Sequence, residues 1–263
     1  MGGAERSARK KKQAARAVTQ ARTTGGGSDR TKIIAGVAVV AVLAVAVIGY
    51  VVFQSTRSSG PQPGAAIPLA PADHVISAPA VRDGGTVLVG KDTATVTVDV
   101  YEDFLCPICG TFEKTYGTDI KKAVEDGKVK VRYHVLPMLN RLSKPEGYST
   151  DSANAALCVA DDGKFNAFHA ALFATQPEEG EAGYTKDQLI KLGKEVGVTS
   201  ATFESCVQNQ NYKAQLDELM SKTSNDPALR DAETGRFRGT PSVASGGKLV
   251  DLDNKNWLND LTS

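Results

Sequence analysis

Four residues, Cys106-Pro107-Ile108-Cys109, limit the fold of this chain more than any other stretch, because of what stands on either side of them. Before them, Thr95 to Tyr101 alternates polar and apolar residues with β-branched side chains, the pattern of a strand. After them, Phe112, Tyr116, Ile120 and Val124 recur every four residues, along one side of a helix. Gly127 ends that helix, and Val129, Val131, Tyr133 and Val135 alternate as a second strand. The order predicts a βαβ unit whose helix begins at the two cysteines.

A pair of cysteines at this spacing can hold half of a zinc site, a structural bridge or a redox-active dithiol. Zinc needs two further ligands, and His74, His134 and His169 are scattered without a second close pair, so no metal and no cofactor is expected. A structural bridge closing so short a loop would restrain little of the unfolded chain. The dithiol fits the placement. Cys106 at a helix start meets free N–H groups and the positive end of the helix dipole, which stabilise a thiolate. Pro107 costs nothing there, since a first-turn N–H has no partner within the helix. Cys109, one turn later, can reach back and resolve a mixed disulfide formed at Cys106.

The compartment bears on this choice. Among the first 32 residues nine are basic and two acidic, with no apolar periodicity, which predicts a disordered tail. Ile33 to Phe53 follows, 21 residues without a charge, enough to cross a bilayer as a helix. The basic flank predicts a cytoplasmic N-terminus and an extracytoplasmic remainder. The apolar core is longer than that of a signal peptide and a poor cleavage site follows it, so an uncleaved single-pass anchor in the cell membrane is expected. Beyond residue 32 the chain has 22 basic and 28 acidic residues, a balance of −6 that argues against nucleic acid as a partner. Residues 54–73 are rich in Ser, Gly, Pro and Ala, a spacer, and 74–263 suit one domain. All four cysteines, 106, 109, 158 and 206, lie on the exported side, where disulfide chemistry is favoured.

Near the far end, Gly239-Thr240-Pro241-Ser242-Val243 leads into a hairpin with Gly246-Gly247 as its turn. A proline entering a strand in this way is a candidate for a cis peptide bond.

Taken together, "YEDFLCPICGTFE", "ALCVADDGKFNAFHAALFATQ", "VTSATFESC" and "RGTPSV" resemble the DsbA-like thiol–disulfide oxidoreductases of the thioredoxin superfamily, in their membrane-anchored bacterial form. The resemblance runs from about residue 84 to the C-terminus. It implies an α/β thioredoxin fold with a helical insertion at about 141–232. It also implies Cys106 as nucleophile, Cys109 as resolving thiol, and Pro241 as a cis-proline beside them. The Thr240 backbone would then pair with an extended substrate. One departure stands out. Relatives carry a buried acid six residues before the first cysteine, where this chain has Val100. Asp99 should face the opposite side of the strand, and Glu102 and Asp103 should be solvated.

Within the insertion, Ala153, Ala156, Leu157 and Ala160 share one helical face, and Phe165, Phe168 and Leu172 a second. His169 is expected to be a packed or capping residue. Leu189, Leu192 and Val196 mark another helix, and Phe203, Cys206 and Val207 begin the next. Cys158 and Cys206, on apolar faces of two of these helices, are expected to form a structural disulfide. Trp257 and Leu261 should pack a final helix on the sheet.

The expected function is oxidation of thiols in exported proteins by a monomer that a membrane redox partner reoxidises. A reductase or isomerase held reduced by a membrane donor, and an anchored peptide-binding module without turnover, are the alternatives.

Overall fold

The computed structural model describes residues 64–263. The basic tail (1–32), the apolar run (33–53) and the first part of the spacer (54–63) lie outside the described residues. Within the spacer's remainder the chain is already part of the domain. Ile67 is buried in the core, and the Ala65 carbonyl accepts a hydrogen bond from Gln188 at 2.9 Å.

The alternating runs on either side of the cysteines pair in parallel as strands β3 (Val96–Glu102) and β4 (Val129–Val135), with Val100 opposite Tyr133. Between them runs helix α1 (Pro107–Glu125), which buries Phe112, Tyr116, Ile120 and Val124 as their spacing requires. Gly127, with φ of +74°, lets the chain turn sharply into β4. β5 (Ser242–Ser245) pairs antiparallel with β3, and β6 (Lys248–Leu249) with β5.

A hairpin not anticipated from the sequence completes the sheet. β1 (Ala80–Asp83) and β2 (Thr86–Val89) turn at Gly84-Gly85, and β2 pairs antiparallel with β4. The order across the six strands is β1-β2-β4-β3-β5-β6, which leaves β3 and β4 central.

Five helices separate β4 from β5: α2 (Tyr148–Ala160), α3 (Phe165–Ala174), α4 (Lys186–Glu195), α5 (Phe203–Gln208) and α6 (Lys213–Asn225). The first four fall where the apolar periodicities lie. The fifth, α6, with Leu216 and Thr223 inward, is an addition to the sequence reading. Cys158 of α2 and Cys206 of α5 are disulfide-bonded, with Cα atoms 6.1 Å apart. α4 starts with a reciprocal cap, in which Thr185 accepts from the Gln188 N–H and Gln188 from the Thr185 N–H. The closing helix α7 (Trp257–Leu261) sets buried Trp257 edge-on to Tyr116 of α1, ring centres 5.8 Å apart. Among the described residues no helix is long and apolar enough to cross a membrane.

Candidate redox site

β3 ends at the site, and a buried acid shapes the loop that follows it. The Asp103 carboxylate accepts hydrogen bonds from the N–H groups of Leu105 and Leu139 and from the Ser149 hydroxyl, each at 2.8 Å. The Cys106 N–H donates to the Asp103 carbonyl at 3.0 Å. Asp103 is therefore not solvated as expected: its side chain is the internal scaffold of the turn. Burial pushes its carboxyl up to about 6, and the three bonds act in the opposite direction.

The chain then enters α1 with Cys106 as its N-cap and Pro107 in the first turn. Both cysteines are free thiols and both are buried, Cys106 at 5 % exposure and Cys109 at 0 %. Ile108 between them is 65 % exposed. Their acidities diverge. A hydrogen bond from Cys109, which outweighs the cost of burial, lowers the Cys106 thiol to about 6, with the backbone N–H groups of Cys109 and Ile108 assisting. Burial pushes the Cys109 thiol far up, and its bond to Cys106 adds to the effect.

The far end of the sequence meets this motif in space. Thr240-Pro241 is a cis peptide bond, and the Thr240 carbonyl lies 3.4 Å from Cys106 Sγ. Strand β5 starts at the next residue and pairs with β3, which is what carries Thr240 to Cys106 across 134 residues of sequence. Gln176, just past α3, also belongs to the site. Its amide donates to the carbonyls of Phe104 (3.1 Å) and Cys106 (2.8 Å), and it crosses Gly110 so closely that a Cβ there would stand 2.2 Å from Oε1. No periodicity or spacing singled out Gln176; its role depends on α3 packing against α1.

The second acid is a correction of greater consequence. Glu102 was expected in solvent and is completely buried. The reason is the strand itself, which continues to Glu102, so that period-two alternation puts Val98, Val100 and Glu102 on one face. Asp99 faces the other way as expected, 2.9 Å from His134 Nε2. Burial, reinforced by the charges of Asp103 and Cys106, raises Glu102 well above the carboxylate range, and Glu102 in turn helps to raise Cys109. A buried acid is thus present two residues after Val100.

Glu102 Oε1 bonds to His169 Nε2 at 2.5 Å. His169 is packed as expected, among the rings of Phe104, Tyr133, Phe165 and Phe173. Burial lowers its proton affinity. Glu113, one α1 residue beyond Phe112, completes the cluster. Burial pushes its carboxyl up to about 7, with His169 opposing and Glu102 reinforcing the shift.

The sequence model of a family described as thioredoxin matches residues 82–259. Over 217 residues the chain is 35 % identical to the serine/threonine-protein kinase PknE of Mycobacterium tuberculosis, a match that covers 80 % of this chain and 37 % of PknE. The chain thus spans little more than a third of that protein. It is 27 % identical over 168 residues to the probable disulfide bond formation protein D of Bacillus cereus, covering 63 % of this chain and 72 % of that one. Among solved structures, reduced DsbA from Mycobacterium tuberculosis superposes with a TM-score of 0.55 at 28 % identity, over 68 % of this chain and 94 % of DsbA.

Proposed function

Because this chain belongs to the thioredoxin family, we propose that it is a membrane-anchored thiol–disulfide oxidoreductase that oxidises the thiols of exported proteins. The observation that carries this reading is the pair of opposed acidities at Cys106 and Cys109 beside the cis Thr240-Pro241 bond.

In the oxidised form a substrate thiolate attacks Sγ of Cys106. The Cys106–Cys109 bond breaks, and Cys109 leaves with the electron pair and, being a weak acid, takes up a proton. A second substrate thiolate then attacks the substrate sulfur of the mixed disulfide, and Cys106 leaves as a thiolate. Its lowered pKa makes it a good leaving group. The substrate loses two electrons and the Cys106–Cys109 disulfide gains them; a redox partner in the membrane must remove them again. Stabilising the Cys106 thiolate favours the reduced form of this protein, which is the direction an oxidant requires. The backbone of Thr240 beside the cis-proline suits pairing with an extended peptide, a mode tolerant of many sequences.

Location follows from the sequence: a cytoplasmic basic tail, a span over 33–53, a spacer, and a monomeric catalytic domain outside. The Cys158–Cys206 disulfide supports an oxidising compartment. The test uses the full chain, oxidised, incubated with a reduced unfolded protein that contains several cysteines. Disulfides should appear in the substrate as the Cys106–Cys109 disulfide is consumed. Failure to oxidise it, combined with efficient reduction or reshuffling of existing disulfides, would replace this reading with the reductase or isomerase.

A further inference from the structure

Glu102 of β3, Glu113 of α1 and His169 of α3 come from three elements and meet at one point behind the dithiol. We propose that they form a binding site for a single zinc-class divalent metal ion, distinct from the cysteines. One potential ligand atom from each residue lies within 4.8 Å of the other two. Zinc holds nitrogen and oxygen ligands at about 2.0–2.2 Å, so the side chains must shift by rotation to close on one ion.

The polar inventory points to a ligand independently of that spacing. Glu102 Oε2 and Glu113 Oε1 are both buried and neither has a hydrogen-bond partner, although Glu102 is completely enclosed. Buried carboxylate oxygens without a donor or a cation are costly, and native proteins rarely leave two in one place. Among the described residues neither carboxylate pairs with a lysine or an arginine; the cluster's only basic group is His169. A proton between Glu102 Oε1 and His169 Nε2 serves the bond already made and leaves both orphan oxygens as they are. A divalent cation takes an oxygen from each acid and supplies the missing charge.

There is also room and access. Glu113 and His169 line a cavity of about 290 Å3, together with His74, Tyr133, Phe165 and Phe173, in which water can complete the coordination. One imidazole and two carboxylates suit zinc, and manganese or ferrous iron less tightly, whereas calcium and magnesium prefer oxygen alone. Bound there, the ion would tie α3 of the helical insertion to the strand and helix that carry the dithiol.

Thiols also bind zinc, so the experiment is done with the full chain stripped by chelator and its Cys106–Cys109 pair oxidised. Equilibrium dialysis against zinc chloride should give one saturable zinc per chain, and zinc should raise the melting temperature. Glu113→Gln and His169→Gln should each weaken uptake at least about tenfold and abolish the thermal shift. Cobalt(II) added to the oxidised wild-type chain should show visible d–d bands without a thiolate charge-transfer band, a readout that needs no variant to fold. No saturable uptake, uptake unchanged in both variants, or a thiolate band in the cobalt spectrum would overturn the site.

Discussion

Cys106 and Cys109 are the same side chain one helical turn apart, and their surroundings alone separate them. Cys106 receives a hydrogen bond from Cys109 and N–H groups from the helix start, whereas Cys109 is sealed behind it. Alkylation of the reduced protein by iodoacetamide should therefore titrate with a midpoint near pH 6 and should label Cys106. A midpoint near the ordinary thiol value would refute the assignment. The sign of the linked stability follows. The folded value lies below the unfolded 9.0, so the contribution to the reduced form is fully present above about pH 9 and disappears as the pH falls through about 6. Denaturant unfolding of the reduced and oxidised proteins should show their difference shifting towards the reduced form between those limits. Cys109→Ala should accumulate mixed disulfides with substrates and Cys106→Ser should form none; equal trapping by both would reverse their roles. Gly110→Ala should displace Gln176 from the carbonyls of Phe104 and Cys106 and destabilise the protein by about 1–3 kcal/mol, measurable in the same unfolding experiment. The two cysteines were legible because a helix start imposes a chemistry on whatever stands there. Glu102 was misread because its burial depends on one further residue of strand, a boundary that alternation alone does not fix.

At the scale of elements, periodicity located what it should: the two central strands, α1 and four helices of the insertion all lie where apolar residues repeat. The β1–β2 hairpin was missed although Asp83-Gly84-Gly85-Thr86 is a turn signal, because its strands are four residues each, too short for alternation to stand out. The disulfide between α2 and α5 joins residues 48 apart in sequence. In the chain-entropy account a loop of that length contributes about 4 kcal/mol through the unfolded state. The double variant Cys158→Ala/Cys206→Ala should lose stability of that order in equilibrium unfolding while its thiol exchange at Cys106 persists. Loss of exchange in a variant that is still folded would mean that the bridge positions the redox site as well.

For the whole molecule, the sharpest expectation concerns residues that the structure does not describe. A reporter enzyme active only after export, fused after Ser59, should be active; a stable but inactive fusion would reject the orientation deduced from the basic flank and the run 33–53. The meeting of Pro241 with Cys106 was legible only by resemblance, since nothing local in either segment records a pairing of β3 with β5. One feature of the assembled domain governs access to its reactive sulfur. Of the four motif residues, the exposed apolar one is Ile108, while both sulfurs are recessed and Cys106 faces the backbone of Thr240. A partner cysteine can reach that sulfur only if its own chain is loose enough to lie along the surface beside it. A cysteine already held inside a folded core cannot make the approach. Under the proposed function, such a site would distinguish partners by how far they have folded.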